Sequence, residues 1–204
     1  MMDIVLKGGP VMIPLLFSSV LALAVGLERL IYLWRSRVDT EDLMDDIKLA
    51  LQQGKVLEAM QIAKKSRGPV AAILAAGIAQ YDRPREEIRQ HLEEVGAHEL
   101  YKMERRMVVL DSIVTIAPLL GLLGTVTGIM RSFNVLAAMQ GAHSPEALSY
   151  GIAEALITTA AGLIIAIPAM ALYYYLSSLI DRNVAEMNRR SADLLYFLET
   201  RGDG

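Results

Sequence analysis

Three apolar stretches constrain this chain more than any other feature of its sequence. The first runs from Val11 to Trp34 and is broken only by Glu28 and Arg29 near its end. The second runs from Met107 to Met130 with one charge, Asp111, and the third from Gly151 to Ile180 with one charge, Glu154. A membrane span needs about 20 mostly apolar residues, and each stretch has that length. The alternative is three buried helices of a soluble bundle. Such helices carry polar residues at every third or fourth position on a wet face, and neither Val11 to Leu27 nor Ala155 to Leu176 shows one.

Composition points the same way. Hydrophobic residues make up 53% of the 204 residues and charged residues 21%, below the about 25% charge of an average soluble domain. The absence of cysteine excludes disulfide frameworks, thiolate zinc sites and cysteine nucleophiles. A net charge of −3 argues against a nucleic-acid partner. With only His91, His98 and His143 available, a cytosolic metalloenzyme is a poor fit. Ala22-Leu23-Ala24 resembles a signal-peptide cleavage site. However, the leader holds one lysine, Lys7, against Asp3, and the apolar run resumes at Leu30 to Trp34. The first stretch therefore reads as a retained span, and intact mass distinguishes the two.

Lysine and arginine placement orients the chain. Most basic residues lie between Arg35 and Arg106, including Arg35, Arg37, Lys102, Arg105 and Arg106 beside the spans, and the tail adds Arg182, Arg189 and Arg190. The leader has Lys7 alone, and the hairpin between spans two and three has none past Arg131 at its edge. The N-terminus is expected outside and the C-terminus inside. Tyr32, Trp34 and Tyr173 to Tyr175 fall at the inner boundary and Phe133 and Tyr150 at the outer one, as interfacial aromatics do. The expected organisation is a short outer N-terminus (1–10), a first span (11–34), an inner helical domain (35–106), a second span (107–130), an outer hairpin (131–150), a third span (151–180) and an inner C-terminal helix or tail (181–204).

The inner domain reads as helical throughout. Asp39-Thr40 can cap a helix ending at Gly54, a second covers Lys55 to Ser66 and stops at Gly68-Pro69, a third covers Val70 to Tyr81, and Pro84 suits the first turn of a fourth. No strong breaker follows before Pro118, so the fourth helix is expected to run into the second span as one rod; the third span is expected to continue beyond the membrane likewise. His91, Glu94 and His98 share one face of the fourth helix; a metal site there is weighed against a solvated or subunit-facing surface, the default for such residues. No P-loop, nucleotide fingerprint or hydrolase triad is present.

The polar residues inside the spans are the informative exceptions. In span two, Asp111, Thr115, Pro118, Leu122 and Thr125 recur at three- and four-residue steps and form one helical stripe, with Ser132 beyond it. In span three, Glu154, Thr158 and Thr159 cluster near the start and Pro168 lies deeper. An aspartate at a helix centre costs at least ~2.5–3.5 kcal/mol, so such groups face protein or water. The competing reading makes Asp111 and Glu154 interfacial, each paired with a nearby arginine; for Asp111 these are Arg105 and Arg106. Threonine hydroxyls can simply bond back to their own helix. Pro118 and Pro168 each free a backbone carbonyl within the membrane that must find water or a neighbour. Gly121, Gly124 and Gly128, and Ala160, Ala161, Gly162, Ala166 and Ala169, are small enough for close helix approach, within the chain or between copies.

Two segments, Ala117 to Phe133 (APLLGLLGTVTGIMRSF) and Ile152 to Pro168 (IAEALITTAAGLIIAIP), resemble the ExbB/TolQ/MotA family of ion-driven motor subunits, more ExbB and TolQ than MotA. The order of spans matches over nearly the whole chain. The resemblance implies an all-α integral membrane protein of the bacterial inner membrane, with three transmembrane helices and a cytoplasmic helical domain. It implies a homopentamer enclosing the single spans of two ExbD/TolR-like chains, each with an intramembrane Asp, and work delivered through a TonB- or TolA-like protein. By motif position it carries over Thr125 and Thr159 as lumen-facing threonines and Glu154 as the span-three glutamate, with Pro118 and Pro168 in motif positions. Thr115 and Thr158 join the expected ion pathway through the two stripes, and Gly121, Gly124, Gly128 and Gly162 the helix packing. The implied function is proton-driven work for TonB-dependent outer-membrane transport, with TolQ-type envelope maintenance, a MotA-type stator or a passive scaffold as alternatives. No cofactor is implied. The coupling ion is H⁺, and hydroxyl oxygens leave Na⁺ open. An intramembrane enzyme lacks support, because no Ser–His pair, paired Asp or His cluster lies within the spans.

Overall fold

The structure, a computed structural model, describes residues 8–36, 39–138 and 145–202. Asp3, Lys7, Arg37, His143 and the middle of the expected 131–150 hairpin lie outside the described residues. Among those described there is no strand; seven helices follow one another, α1 (Met12–Arg35), α2 (Thr40–Gln52), α3 (Val56–Lys65), α4 (Pro69–Ala79), α5 (Arg85–Glu104), α6 (Met107–Ala138) and α7 (Pro145–Gly202). Helices α1, α6 and α7 each contain a window long and apolar enough to cross a membrane. The chain forms two compact units, one of residues 1–28 and 106–174, the other of residues 29–105 and 175–204.

The second unit is a helical domain whose boundaries follow local chemistry. The Asp39 carboxylate accepts from the backbone N–H groups of Glu41 and Asp42 at 3.0 and 3.3 Å and caps α2. The other end of α2 closes on Gly54 in the left-handed region (φ 78°). There Gly54 N–H donates to Leu51 O and Lys55 N–H to Ala50 O, the paired bonds of a Schellman motif. Pro69 opens α4, where its missing N–H is no loss. Leu43, Met44, Ile47 and Leu51 form a helical stripe on α2; Ile73, Leu74 and Ile78 of α4, Leu92 and Met103 of α5, and Leu176, Met187 and Leu194 of α7 are buried with them. His91 and Glu94 sit beside each other at 3.7 Å on the wet side of α5, Glu94 being two-thirds exposed.

One expectation is corrected here. The fourth inner helix and the second span do not form one rod. Helix α5 ends at Glu104, Arg105 is extended (ψ 130°) and Arg106 has φ 72°. A left-handed arginine cannot continue a right-handed helix. No glycine or proline marks the place. The third span does continue, as the single helix α7.

In the first unit, α1 packs Leu15 and Ala22 inward, and Gly26 meets the Leu172 side chain. The opposite face of α1 leaves Ile13, Phe17, Val20, Leu23 and Leu27 more than half exposed, and Leu119, Leu122, Ile164 and Ile167 of α6 and α7 are equally bare. Apolar exposure this extensive suits lipid or protein neighbours rather than water.

Candidate functional site

The site lies along the seam between α6 and the first half of α7. Backbones approach closely there because glycines line the contact. A methyl group on Gly124 would lie 2.5 Å from Thr158 Cβ, and one on Gly162 would lie 2.6 Å from the Ala117 carbonyl oxygen and 3.2 Å from Gly121 Cα. Gly121 and Gly128 face the backbone of Thr158, Thr159 and Gly151 at similar range. Gly121, Gly124, Gly128 and Gly162 are therefore filled by contacts within the chain.

Close approach brings two hydroxyls and two carbonyls together. Thr159 Oγ1 donates to the Gly121 carbonyl on the facing helix at 3.1 Å or to Ala155 on its own at 3.2 Å. Thr125 Oγ1 reaches the same two carbonyls at 3.3 and 3.5 Å, and the two hydroxyls are hydrogen-bonded to each other with either as donor. Each hydroxyl has one proton and two lone pairs. If Thr125 donates to Thr159, Thr159 donates to a carbonyl; reversed, Thr125 takes the carbonyl. The cluster thus has two neutral states of opposite polarity. Both threonines are half-buried, at the edge of the seam.

The remaining expected residues divide. Thr115 is exposed and bonds back to the Asp111 carbonyl at 3.2 Å; Pro118 is half-buried, while Leu122 and Pro168 are exposed. Asp111 is also exposed, and Arg106 is engaged with Glu28 at 3.1 Å rather than with Asp111. Thr158 departs from the expected lining position: it is fully buried against Gly124, with its hydroxyl on the Ala155 and Glu154 carbonyls at 2.9 and 3.2 Å. It packs the helix pair and presents no open surface in the single chain.

Glu154 is 5% exposed. Arg131 Nη1 donates to both carboxylate oxygens, at 2.9 and 3.1 Å. The arginine side chain is half exposed, so it carries the neutralising charge from buried carboxylate to surface. From the other side, Gly9 (φ 69°) lies against Glu154 Oε1 so closely that a side chain there would overlap it. Sequence reasoning placed Arg131 only at the edge of the hairpin and missed the Gly8-Gly9 turn. The available signal for Arg131 was that it, near the C-terminal end of α6, and Glu154, near the N-terminal end of α7, are opposite charges flanking the same hairpin.

Residues 65–189 match the sequence pattern of the MotA/TolQ/ExbB proton channel family. The putative biopolymer transport protein ExbB-like 1 of Synechocystis sp. is 39% identical over 182 residues, which is 88% of this chain and 71% of that protein. The putative biopolymer transport protein ExbB homolog of Methanothermobacter thermautotrophicus is 32% identical over 179 residues, 87% of this chain and 63% of that protein. The Tol-Pal system protein TolQ of Haemophilus influenzae is 43% identical over 79 residues, 39% of this chain and 34% of that protein.

Proposed function

The chain belongs to the MotA/TolQ/ExbB proton channel family, on its ExbB and TolQ side, and from that premise we propose that it is the ring-forming subunit of an inner-membrane motor. Five copies enclose the single spans of two ExbD/TolR-like chains. The motor couples inward H⁺ flow to mechanical work for TonB-dependent outer-membrane transport. The N-terminus is outside and the second unit is cytoplasmic, in keeping with the crowding of Lys and Arg into 35–106 and 181–204. The chain acts as a channel wall and not as an enzyme.

The observation that carries this reading is the Thr125–Thr159 hydroxyl pair at the half-buried edge of the α6–α7 seam. Its two neutral polarities can pass on the orientation of a water chain without holding a proton. The acid that picks up and releases the ion belongs on the partner helix, as an Asp facing the threonines. When charged, that Asp prefers the hydroxyl edge; when neutral, it can pass the apolar lining of Leu122 and its neighbours. One charge moving through 100 mV supplies about 2.3 kcal/mol per step. Glu154, tied to Arg131, serves as a fixed outer element of the wall.

The test is co-purification with a single-span protein carrying one intramembrane Asp, preferably from a neighbouring reading frame, followed by imaging of the complex. The expected result is five copies around two helices, with Thr125 and Thr159 turned toward the shared axis. Threonines facing acyl chains, or buried away from any axis, would overturn the assignment.

A further inference from the structure

The second unit holds a cavity of about 320 Å³ where α1 and α7 leave their apolar runs. Its apolar wall is Leu33 of α1, Leu179 of α7 and Val70 in the first turn of α4. Leu33 precedes Trp34 and Arg35, the end of the first apolar stretch; Leu179 precedes Ile180, the end of the third. Trp34 and Tyr175, both exposed, lie within one turn of those residues on the same helices. Exposed Trp and Tyr at the end of an apolar run mark the headgroup level of a bilayer. The cavity is thus open at the depth where lipid phosphates lie.

Its polar wall is cationic. Arg67 and Arg182 both line it and are exposed, and neither guanidinium has a hydrogen bond or ion pair with another described residue. Asn183 adds an amide whose one observed bond, to Leu179 O at 3.0 Å, leaves its second N–H available. The one acid on the wall, Glu186, is already committed. It accepts from Thr40 Oγ1 at 2.8 Å, and Arg190 Nε lies 3.6 Å and Arg189 Nη1 3.9 Å from its carboxylate. Arg190 is itself buried and paired with Asp193 at 3.2 Å. The net field facing the cavity is positive. No acidic residue enters the first turn of α4, and Gly68 supplies no side-chain cap to it, so that end adds positive dipole to the same wall.

We propose that this cavity binds the phosphate of an anionic phospholipid headgroup, with the exposed Arg67 and Arg182 as its two ligands and the buried Leu33, Val70 and Leu179 as its floor. An arginine fork matches phosphate oxygens pairwise, and basic pockets between spans on the cytoplasmic side are sites of this class. The assignment rests on the proposed function only in placing the second unit on the cytoplasmic side.

The test uses the full chain in nanodiscs of phosphatidylcholine doped with phosphatidylglycerol, read by native mass spectrometry of co-released lipid and by thermal stability. Arg67→Gln with Arg182→Gln is compared with wild type and with a charge-matched control, Arg83→Gln with Arg85→Gln, on exposed residues away from the cavity. Wild type and control are expected to retain phosphatidylglycerol over phosphatidylcholine, and the Arg67/Arg182 variant to bind it about 30-fold more weakly, about fivefold per arginine. Inorganic phosphate added at millimolar concentration should not raise the stability of wild type. Three results would overturn the proposal: equal retention by the Arg67/Arg182 variant, equal loss in the control, or stabilisation by inorganic phosphate matching that by the lipid, which assigns the cavity to a soluble anion. Both leaflets of the nanodisc have the same composition, so the outcome does not depend on orientation. A chain that binds the lipid but carries no ion flux would refute the motor and leave this site standing.

Discussion

Replacing Gly124 by alanine puts one methyl group into the close-packed α6–α7 seam. The methyl would stand 2.5 Å from Thr158 Cβ and 3.0 Å from its Cγ2, where ordinary contact begins at 3.4 Å. Thr158 cannot swing aside. It is fully buried, its hydroxyl is held by the Ala155 carbonyl at 2.9 Å, and β-branching restricts its χ1. The helices must part by about an ångström, which loosens the contacts at Gly121 and Gly128 as well. Overpacking of this kind costs about 1–3 kcal/mol, and alanine returns up to about 1 kcal/mol through helix propensity. Because Thr158 cannot yield, the cost falls in the upper part of that range, about 2–3 kcal/mol, and the net loss of about 1–2 kcal/mol lowers Tm by about 2–8 °C for a chain of this length. Thermal unfolding of the purified chain in detergent reads it directly. Thr158→Gly removes the obstructing atoms, so in the Gly124→Ala background it should cost clearly less than it does alone, a coupling that contacting residues show and distant ones lack. A Gly124→Ala chain at least as stable as wild type, or strictly additive losses in the pair, would show that close approach is not what holds the seam.

Further outcomes follow from other parts of the structure. Arg131→Gln leaves the Glu154 carboxylate buried with a weaker partner and should destabilise the first unit by about 1.5–3 kcal/mol, whereas Arg131→Gln with Glu154→Gln should recover most of that loss; denaturant titration distinguishes them, and an Arg131→Gln chain of unchanged stability would mean that water already serves the carboxylate. Gly68→Ala should lower the stability of the helical domain by more than 1 kcal/mol on the scale of strained backbone sites, since Gly68 has φ 105° and its α-carbon faces the Ser36 carbonyl; an unchanged melting curve contradicts it. Arg106→Gly relieves a left-handed arginine and gives up an ion pair whose partners are 50% and 38% exposed. Strain relief of about 1 kcal/mol against a surface pair worth up to about 1 kcal/mol predicts a change too small to shift Tm by more than a few degrees, and a collapse of the fold would assign the ion pair a far larger role. Flux measured against separate H⁺ and Na⁺ gradients should respond to H⁺ alone, and a Na⁺ response would reassign the coupling ion.

The parts of this architecture that were legible in the sequence are those set by local chemistry. The long apolar runs, the Asp39 cap, the Gly54 stop and Pro69 at the head of a helix each determine their element from within a few residues, and the observed boundaries of α2, α3 and α4 fall within one or two residues of those expected. The Arg105–Arg106 break was not legible, because no helix breaker occupies it; Arg106 takes a conformation that its own type disfavours. At the site, Thr125 lies on the span-two stripe and meets Thr159, the threonine that motif position singled out, across the seam. The division between Thr158 and Thr159 does not follow from sequence. Successive residues are turned about 100° around a helix, so one of two adjacent threonines must enter the seam and the other its edge; which is which depends on where Gly121 and Gly124 meet α7. The Arg131–Glu154 pair matches the reading in which Glu154 takes a nearby arginine, but the Gly9 turn over it joins segments far apart in the chain, and no local pattern encodes that meeting.

The hydroxyl pair itself is tested most directly by ion flux through the reconstituted complex of this chain with the proposed single-span partner. Thr125→Ser with Thr159→Ser keeps both hydroxyls and should conduct close to wild type. Thr125→Val with Thr159→Val keeps the shape, removes both donors and should abolish proton-coupled flux while the ring still assembles. Wild-type flux through an assembled Val/Val ring would contradict the account.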